Sequence, residues 1–192
     1  MNKKIRKFIP VTGPWITGKE VQMITRAAKD GWDQNAGKYT GLFEKKFARY
    51  IGRKYALATS SCTAALHLAY LALGIKKDDE VIVPNITWIA SVEPFYWIGA
   101  KVKYADIDAR TWCVDSKSIA KLITPKTRAI LVVNLYGHVA DMEPILALAK
   151  KYNLKVIEDA AESVGSMYRG KMAGSFGDAS AFRFHGSKAL ST

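Results

Sequence analysis

Short, continuously apolar runs alternate with longer segments of helical periodicity from about residue 17 to the end of the 192-residue chain. This alternation restricts the fold more than any other feature. A run that is apolar on successive residues needs cover on both faces of its strand. Such strands belong to a mostly parallel sheet with helices on both faces, so the expected fold class is α/β. Strands are expected at 55–59, 81–83, 101–107, 129–133, 155–157 and 179–184, the fifth of them ending in Glu158 and Asp159. Thr17 and Glu20 form a capping box for a helix that carries Val21, Ile24 and Ala28 on one face and closes at Gly31. Phe43, Phe47, Tyr50 and Ile51 mark the buried stripe of a second helix ending before Gly52. Further helices are expected at 63–73, 89–97, 116–122 and 142–152. Ligands of such sheets bind beyond the carboxyl ends of the strands, which directs attention to 60–63, 84–88, 134–138 and 158–162.

The net charge of +12 raises nucleic acid, anionic membranes and small anions as partners. Its distribution argues against the first. Residues 1–55 hold 13 Lys+Arg against 4 Asp+Glu, whereas 56–192 hold 16 against 13. Lys3, Lys4, Arg6 and Lys7 crowd the start, so 1–16 is expected to be a basic arm and 17–192 a folded domain. No basic and aromatic interleaving or nucleic-acid-binding motif accompanies the charge, and a solvated arm is the simpler reading. No apolar stretch follows the basic residues before Pro10, and the longest one, 64–75, contains His67 and is short of a bilayer span. A cytoplasmic protein is expected. Cys62 and Cys113 have neither disulfide-framework nor zinc spacing, and the three histidines lie outside ligand spacing with the acids.

Ser60-Ser61-Cys62-Thr63 falls between a strand and a helix start, where free N–H groups and the helix dipole favour an anion. A helix cap alone explains the same residues. Asp159 at a strand end is costly to bury without a cationic partner, yet it also suits a helix N-cap before Ala160-Ala161-Glu162. Glu158 and Glu162 leave an acid pair open. Trp88 stacks on a flat ligand or packs against the sheet. Lys188, after the 179–184 strand, reads by itself as a surface charge. As a set, an anion cradle, a flat aromatic, a strand-end carboxylate and a lysine on a turn are the protein parts that pyridoxal 5'-phosphate requires.

Several stretches, in order, resemble one family. They are Ser61-Cys62-Thr63-Ala64-Ala65-Leu66, Asn134-Leu135-Tyr136-Gly137-His138, Glu158-Asp159-Ala160-Ala161-Glu162, Gly174-Ser175-Phe176-Gly177-Asp178 and Phe184-His185-Gly186-Ser187-Lys188. The sequence is similar to the DegT/StrS family of pyridoxal-phosphate-dependent nucleotide-sugar aminotransferases, especially those of the perosamine-synthase type. The resemblance implies an aspartate-aminotransferase-like (fold type I) large domain. It implies an enzyme that moves an amino group from an amino acid, glutamate in most of the family, to a keto group of a nucleotide-linked deoxysugar. Lys188 would form the Schiff base and Asp159 would pair with the pyridine nitrogen. Glu162 would lie near the phenolic oxygen, Trp88 would stack on the ring, and Ser61, Cys62 and Thr63 would hold the phosphate. Arg183 stands where the family commonly has a phosphate-binding Ser, and it either binds phosphate itself or crowds the loop. Family dehydratases carry His in place of the lysine, so Lys188 favours transamination over dehydration; a non-catalytic regulatory homologue is a further alternative. The resemblance also implies a homodimer with shared sites, and no nucleic-acid or membrane partner. It further implies that the 192 residues are the N-terminal part of a longer enzyme, inactive alone and lacking a C-terminal domain.

Overall fold

The computed structural model describes residues 16–186, 188 and 190; Lys3, Lys4, Arg6 and Lys7 of the expected basic arm lie outside them. Its centre is a five-stranded sheet. The strands are β1 (Glu80–Pro84), β2 (Lys101–Ala105), β3 (Thr127–Val133), β4 (Lys155–Asp159) and β7 (Ala179–Ala181), in the order β2-β1-β3-β4-β7. Every neighbouring pair is parallel. A two-stranded antiparallel hairpin, β5 (Met167–Tyr168) and β6 (Lys171–Met172), lies outside this sheet.

Side-chain alternation on the buried strands divides the core into two layers. Val81, Val83, Ala129, Leu131, Val133 and Ile157 face the layer built with Leu66, Tyr70 and Phe95. Those three come from α3 (Cys62–Ala72) and α4 (Glu93–Trp97). Ile82, Ile130, Val132 and Val156 face the opposite layer, with Ile119 of α5 (Ser116–Leu122) and Met142 and Ile145 of α6 (Met142–Tyr152). Helices therefore cover both faces, as the apolar runs require.

The caps behave as their residues dictate. Thr17 and Glu20 close the capping box of α1 (Gly18–Asp30), and Gly52 ends α2 (Lys38–Ile51) in the left-handed conformation. The apolar face of α1 is nevertheless open: Val21 and Ile24 are exposed, and no residue of the helix is buried. Three expectations are corrected. Residues 55–59 form no strand, because no described strand runs beside them to complete a ladder; Ala58 N–H instead donates to Glu44 Oε1 at 2.8 Å. The helix expected at 89–97 is split at Val92 into a single turn, Ile89–Ser91, and the short α4, whose first turn holds Pro94, a residue without an N–H. The strand expected at 179–184 stops at Ala181, where pairing with β4 ends at Asp159. Beyond it Phe182 and Phe184 turn into an aromatic cluster with Phe47, at centroid distances of 4.9 and 5.2 Å. The β5–β6 hairpin was not expected from the sequence; Arg169 and Gly170 at its tip both take positive φ.

The approach to β7 is set by one buried acid. Glu158, fully inaccessible in β4, accepts hydrogen bonds from Gly174 N at 2.8 Å, Phe176 N at 2.7 Å and Gly177 N at 2.9 Å. Arg53 reaches the same loop, donating from Nε to Gly174 O at 2.9 Å and from Nη2 to Gly177 O. The loop packs so closely on β4 that a Cβ at Gly177 would stand 2.5 Å from Val156 O. Glu158 is thus a structural acceptor and makes no acid pair with Glu162. Replacing it by Ala strands three backbone N–H groups, two of them buried, and Glu158→Ala is expected to cost roughly 3 kcal/mol or more. Urea unfolding checks this, with Glu158→Gln expected to lose less because one acceptor survives.

Candidate active site

The order of the sheet reverses beside β1: the chain passes from β1 to β2 on one side and returns to β3 on the other. A crevice is expected at the carboxyl ends of strands around such a point. The N-terminus of α3, the segments after β1, β3 and β4, and residues 182–185 with Lys188 line one cavity of about 1560 Å³ there. All eight residues singled out in the sequence, Ser61, Cys62, Thr63, Trp88, Asp159, Glu162, Arg183 and Lys188, border it.

Asp159 ends β4 at 5% exposure. Its Oδ2 accepts from Ser91 Oγ at 2.7 Å and its Oδ1 from Ala161 N at 3.1 Å. No helix follows, so the N-cap alternative is set aside; the bond to Ala161 spans a turn. Burial raises its carboxyl above the ordinary range, against the pull of the two hydrogen bonds. A cationic group brought beside it would reverse that penalty. Ser91 is itself held by Thr87 Oγ1 at 3.0 Å, while Tyr70 OH donates to its carbonyl at 2.7 Å. Ser91 was not legible in the sequence, since a serine in a short turn carries no motif.

Glu162 sits in a different field. Its Oε1 accepts from Lys188 Nζ at 2.7 Å and its Oε2 from Tyr136 N at 2.8 Å. The left-handed backbone of Tyr136, φ 52°, belongs to the turn that presents this N–H. Burial opposes ionisation of Glu162, but the bonds from Lys188 and Tyr136 outweigh it and hold the carboxyl below its usual value. The ammonium of Lys188 and the carboxylate of Glu162 therefore form an ion pair on the cavity wall.

At the other end, Ser61 caps α3 by accepting from Ala64 N at 3.1 Å, and the first intrahelical bond runs from Ala65 N to Ser61 O. The N–H groups of Cys62 and Thr63 precede that bond and remain free to receive an anion. Arg183 borders the same end, close enough for its charge to act on Cys62. Burial pushes the Cys62 thiol up to about 12, so it stays protonated and serves as a small neutral wall. Trp88 is 72% exposed beside the crevice and does not pack on the sheet, which removes the simpler of its two readings. Asn134, fully buried at the end of β3, also borders the cavity. Its stretch was singled out in the sequence but not the residue.

The set fits pyridoxal 5'-phosphate: free N–H groups and an arginine for the phosphate, a flat indole, a buried acid for the ring nitrogen that has no cation in contact among the described residues, and a lysine amine. The acid's burial has a stability consequence. A carboxyl raised on folding makes the folded state bind more protons than the unfolded one, so stability is full below the unfolded value and falls as pH rises through the folded one. In the cofactor-free protein Asp159→Asn is therefore expected to raise the thermal midpoint at neutral pH, with the gain vanishing below about pH 4. Thermal scans across pH check both parts.

A model of the DegT/DnrJ/EryC1/StrS aminotransferase family matches residues 14–192. The GDP-perosamine synthase of Escherichia coli O157:H7 is 48% identical over 186 residues, which are 97% of this chain and 51% of that protein. The crystal structure of an aminotransferase from Psychrobacter cryohalolentis superposes with a TM-score of 0.89 at 38% identity, covering 96% of this chain and 46% of that one. A GDP-4-keto-6-deoxymannose-3-dehydratase with a trapped PLP-glutamate geminal diamine gives a TM-score of 0.87 at 30% identity, covering 95% and 48%. The chain spans about half the length of the curated relatives it matches.

Proposed function

Because the chain belongs to the DegT/DnrJ/EryC1/StrS aminotransferase family, we propose that residues 17–192 form the cofactor-binding domain of a pyridoxal-phosphate-dependent nucleotide-sugar aminotransferase. The enzyme would move an amino group from glutamate to the keto group of a GDP-linked deoxysugar, a substrate class supported by the relative named GDP-perosamine synthase. Two chains sharing their sites in the cytoplasm belong to the same reading, supported by the resemblance. One observation carries it: the Lys188 amine and the buried Asp159 carboxylate border the same cavity as the free N-terminus of α3.

When bound, the cofactor supplies a conjugated ring that accepts the electron pair left at the amino-acid Cα. Lys188 would bind it covalently through Nζ and, once displaced, carry the proton between Cα and the cofactor carbon. Asp159, steadied by Ser91 and Ala161, would keep a proton on the ring nitrogen and so preserve the ring's electron demand. The α3 N–H groups, Thr63 and Arg183 would hold the phosphate, and Trp88 would flank the ring. The cavity exceeds the roughly 300–1,000 Å³ of common small-molecule sites, leaving room for a sugar beside the cofactor.

The full-length protein with pyridoxal phosphate, glutamate and a GDP-linked keto sugar is expected to yield an aminated sugar, and Lys188→Ala to yield none. A deoxygenated, unaminated product would support the dehydratase alternative. Arg183→Ala is expected to weaken cofactor binding about tenfold or more, the worth of one charge-assisted hydrogen bond. Absorbance titration of the cofactor measures it; unchanged affinity would remove Arg183 from the phosphate site.

A further inference from the structure

Ser91 has one side-chain proton to give, and its surroundings decide where that proton goes. Its backbone is pegged on two sides. The N–H donates to Trp88 O at 3.0 Å, and the carbonyl accepts from the fully buried Tyr70 OH at 2.7 Å. The hydroxyl lies between two oxygens, Thr87 Oγ1 at 3.0 Å and Asp159 Oδ2 at 2.7 Å. An ionised carboxylate only accepts, so Ser91 donates to it, and the Ser91 oxygen is left to accept from Thr87. The chain then runs in one direction, Thr87 to Ser91 to Asp159, and each bond polarises and strengthens the next. A hydrogen bond to a charged group is worth about twice a neutral one, so the chain favours the carboxylate over the neutral acid.

Asp159 lies where such help has an effect. Burial works for its neutral form, and Ala161 N is its other donor among the described residues. A neutral acid would keep its own proton and leave the ring nitrogen of the cofactor uncharged. We infer that Ser91 and Thr87 are positioning residues for Asp159, a hydroxyl relay that starts at the cavity wall and favours the carboxylate the ring nitrogen requires. Its consequence for the cofactor rests on the proposed function, whereas the relay itself belongs to the cofactor-free protein. The charged and titratable groups around Asp159 are Cys62 and Tyr70 from α3, Glu162 from the segment after β4, and Arg183, His185 and Lys188 from the segment after β7. Substitutions at 87 and 91 leave all of them in place.

The test is the thermal midpoint of the full-length, cofactor-free protein between about pH 4 and about pH 9. Without the Ser91 donor the folded-state carboxyl rises further above its unfolded value. More of the stability present in acid is then lost as pH rises through the folded value. Ser91→Ala is expected to fall below the native midpoint throughout, by about twice as much at the alkaline end as at the acid end. On an Asp159→Asn background the deficit is expected to be the same at every pH. Thr87→Val is expected to show a smaller deficit that also grows with pH, and Thr87→Ser, which keeps the hydroxyl, to restore the native profile. A deficit that does not grow with pH, or growth that survives Asp159→Asn, overturns the relay. In the loaded protein, NMR of cofactor labelled at the ring nitrogen gives the second readout. The native signal is expected at the protonated position, and Ser91→Ala to move it toward that of neutral pyridine; a signal that stays overturns the consequence for the cofactor. A native protein that takes up no cofactor would instead overturn the proposed function, and the cofactor-free profile would still decide the relay.

Discussion

Three backbone N–H groups converging on the Glu158 carboxylate hold the rest of the site in place. Through them the loop at 174–177 is locked to β4, and that loop delivers β7 to its register beside Asp159. From β7 the chain runs over the aromatic cluster of Phe47, Phe182 and Phe184 to the turn that carries Lys188. The lysine and the acid of the site are thus both referenced to β4, one through a ladder and one through a clamp. A buried carboxylate satisfied on both oxygens by backbone donors is stable where it is and is shut off from the crevice.

The neighbouring acid has the opposite character. Successive side chains of a strand point to opposite faces, so if Glu158 enters the loop, Asp159 must enter the crevice. There it meets two neutral donors and, among the described residues, no cation in contact, and burial raises its carboxyl. Glu162, three residues on, meets Lys188 and is held ionised. Three acids within five residues therefore have three electrostatic situations: saturated, uncompensated and ion-paired. The uncompensated one is where the fold leaves interaction energy for a ligand.

Much of this was legible in the sequence. The apolar runs at 81–83, 129–133 and 155–157 place strands because only a strand with covered faces tolerates them, and all three lie within strands of the sheet. The caps at Thr17 and Gly52 act locally, and both form as their side chains allow. Less was legible where a segment depends on a distant partner. The residues at 55–59 have strand composition, but a ladder needs a neighbour that local sequence cannot supply. The short β7 likewise follows from where its pairing with β4 ends.

The sequence by itself determined the kind of chemistry available: which side chains stand after which strands, and a parallel sheet whose carboxyl edge gathers them. It did so because hydrophobic periodicity and capping are short-range, repeated along the chain and written in residue type. Tertiary structure alone decided the roles. It chose Glu158 as the clamp and Asp159 as the site acid, bared Trp88 and seated Lys188 on Glu162. Those assignments depend on which polar atoms find partners, and in a buried site the partners come from residues far apart in the chain.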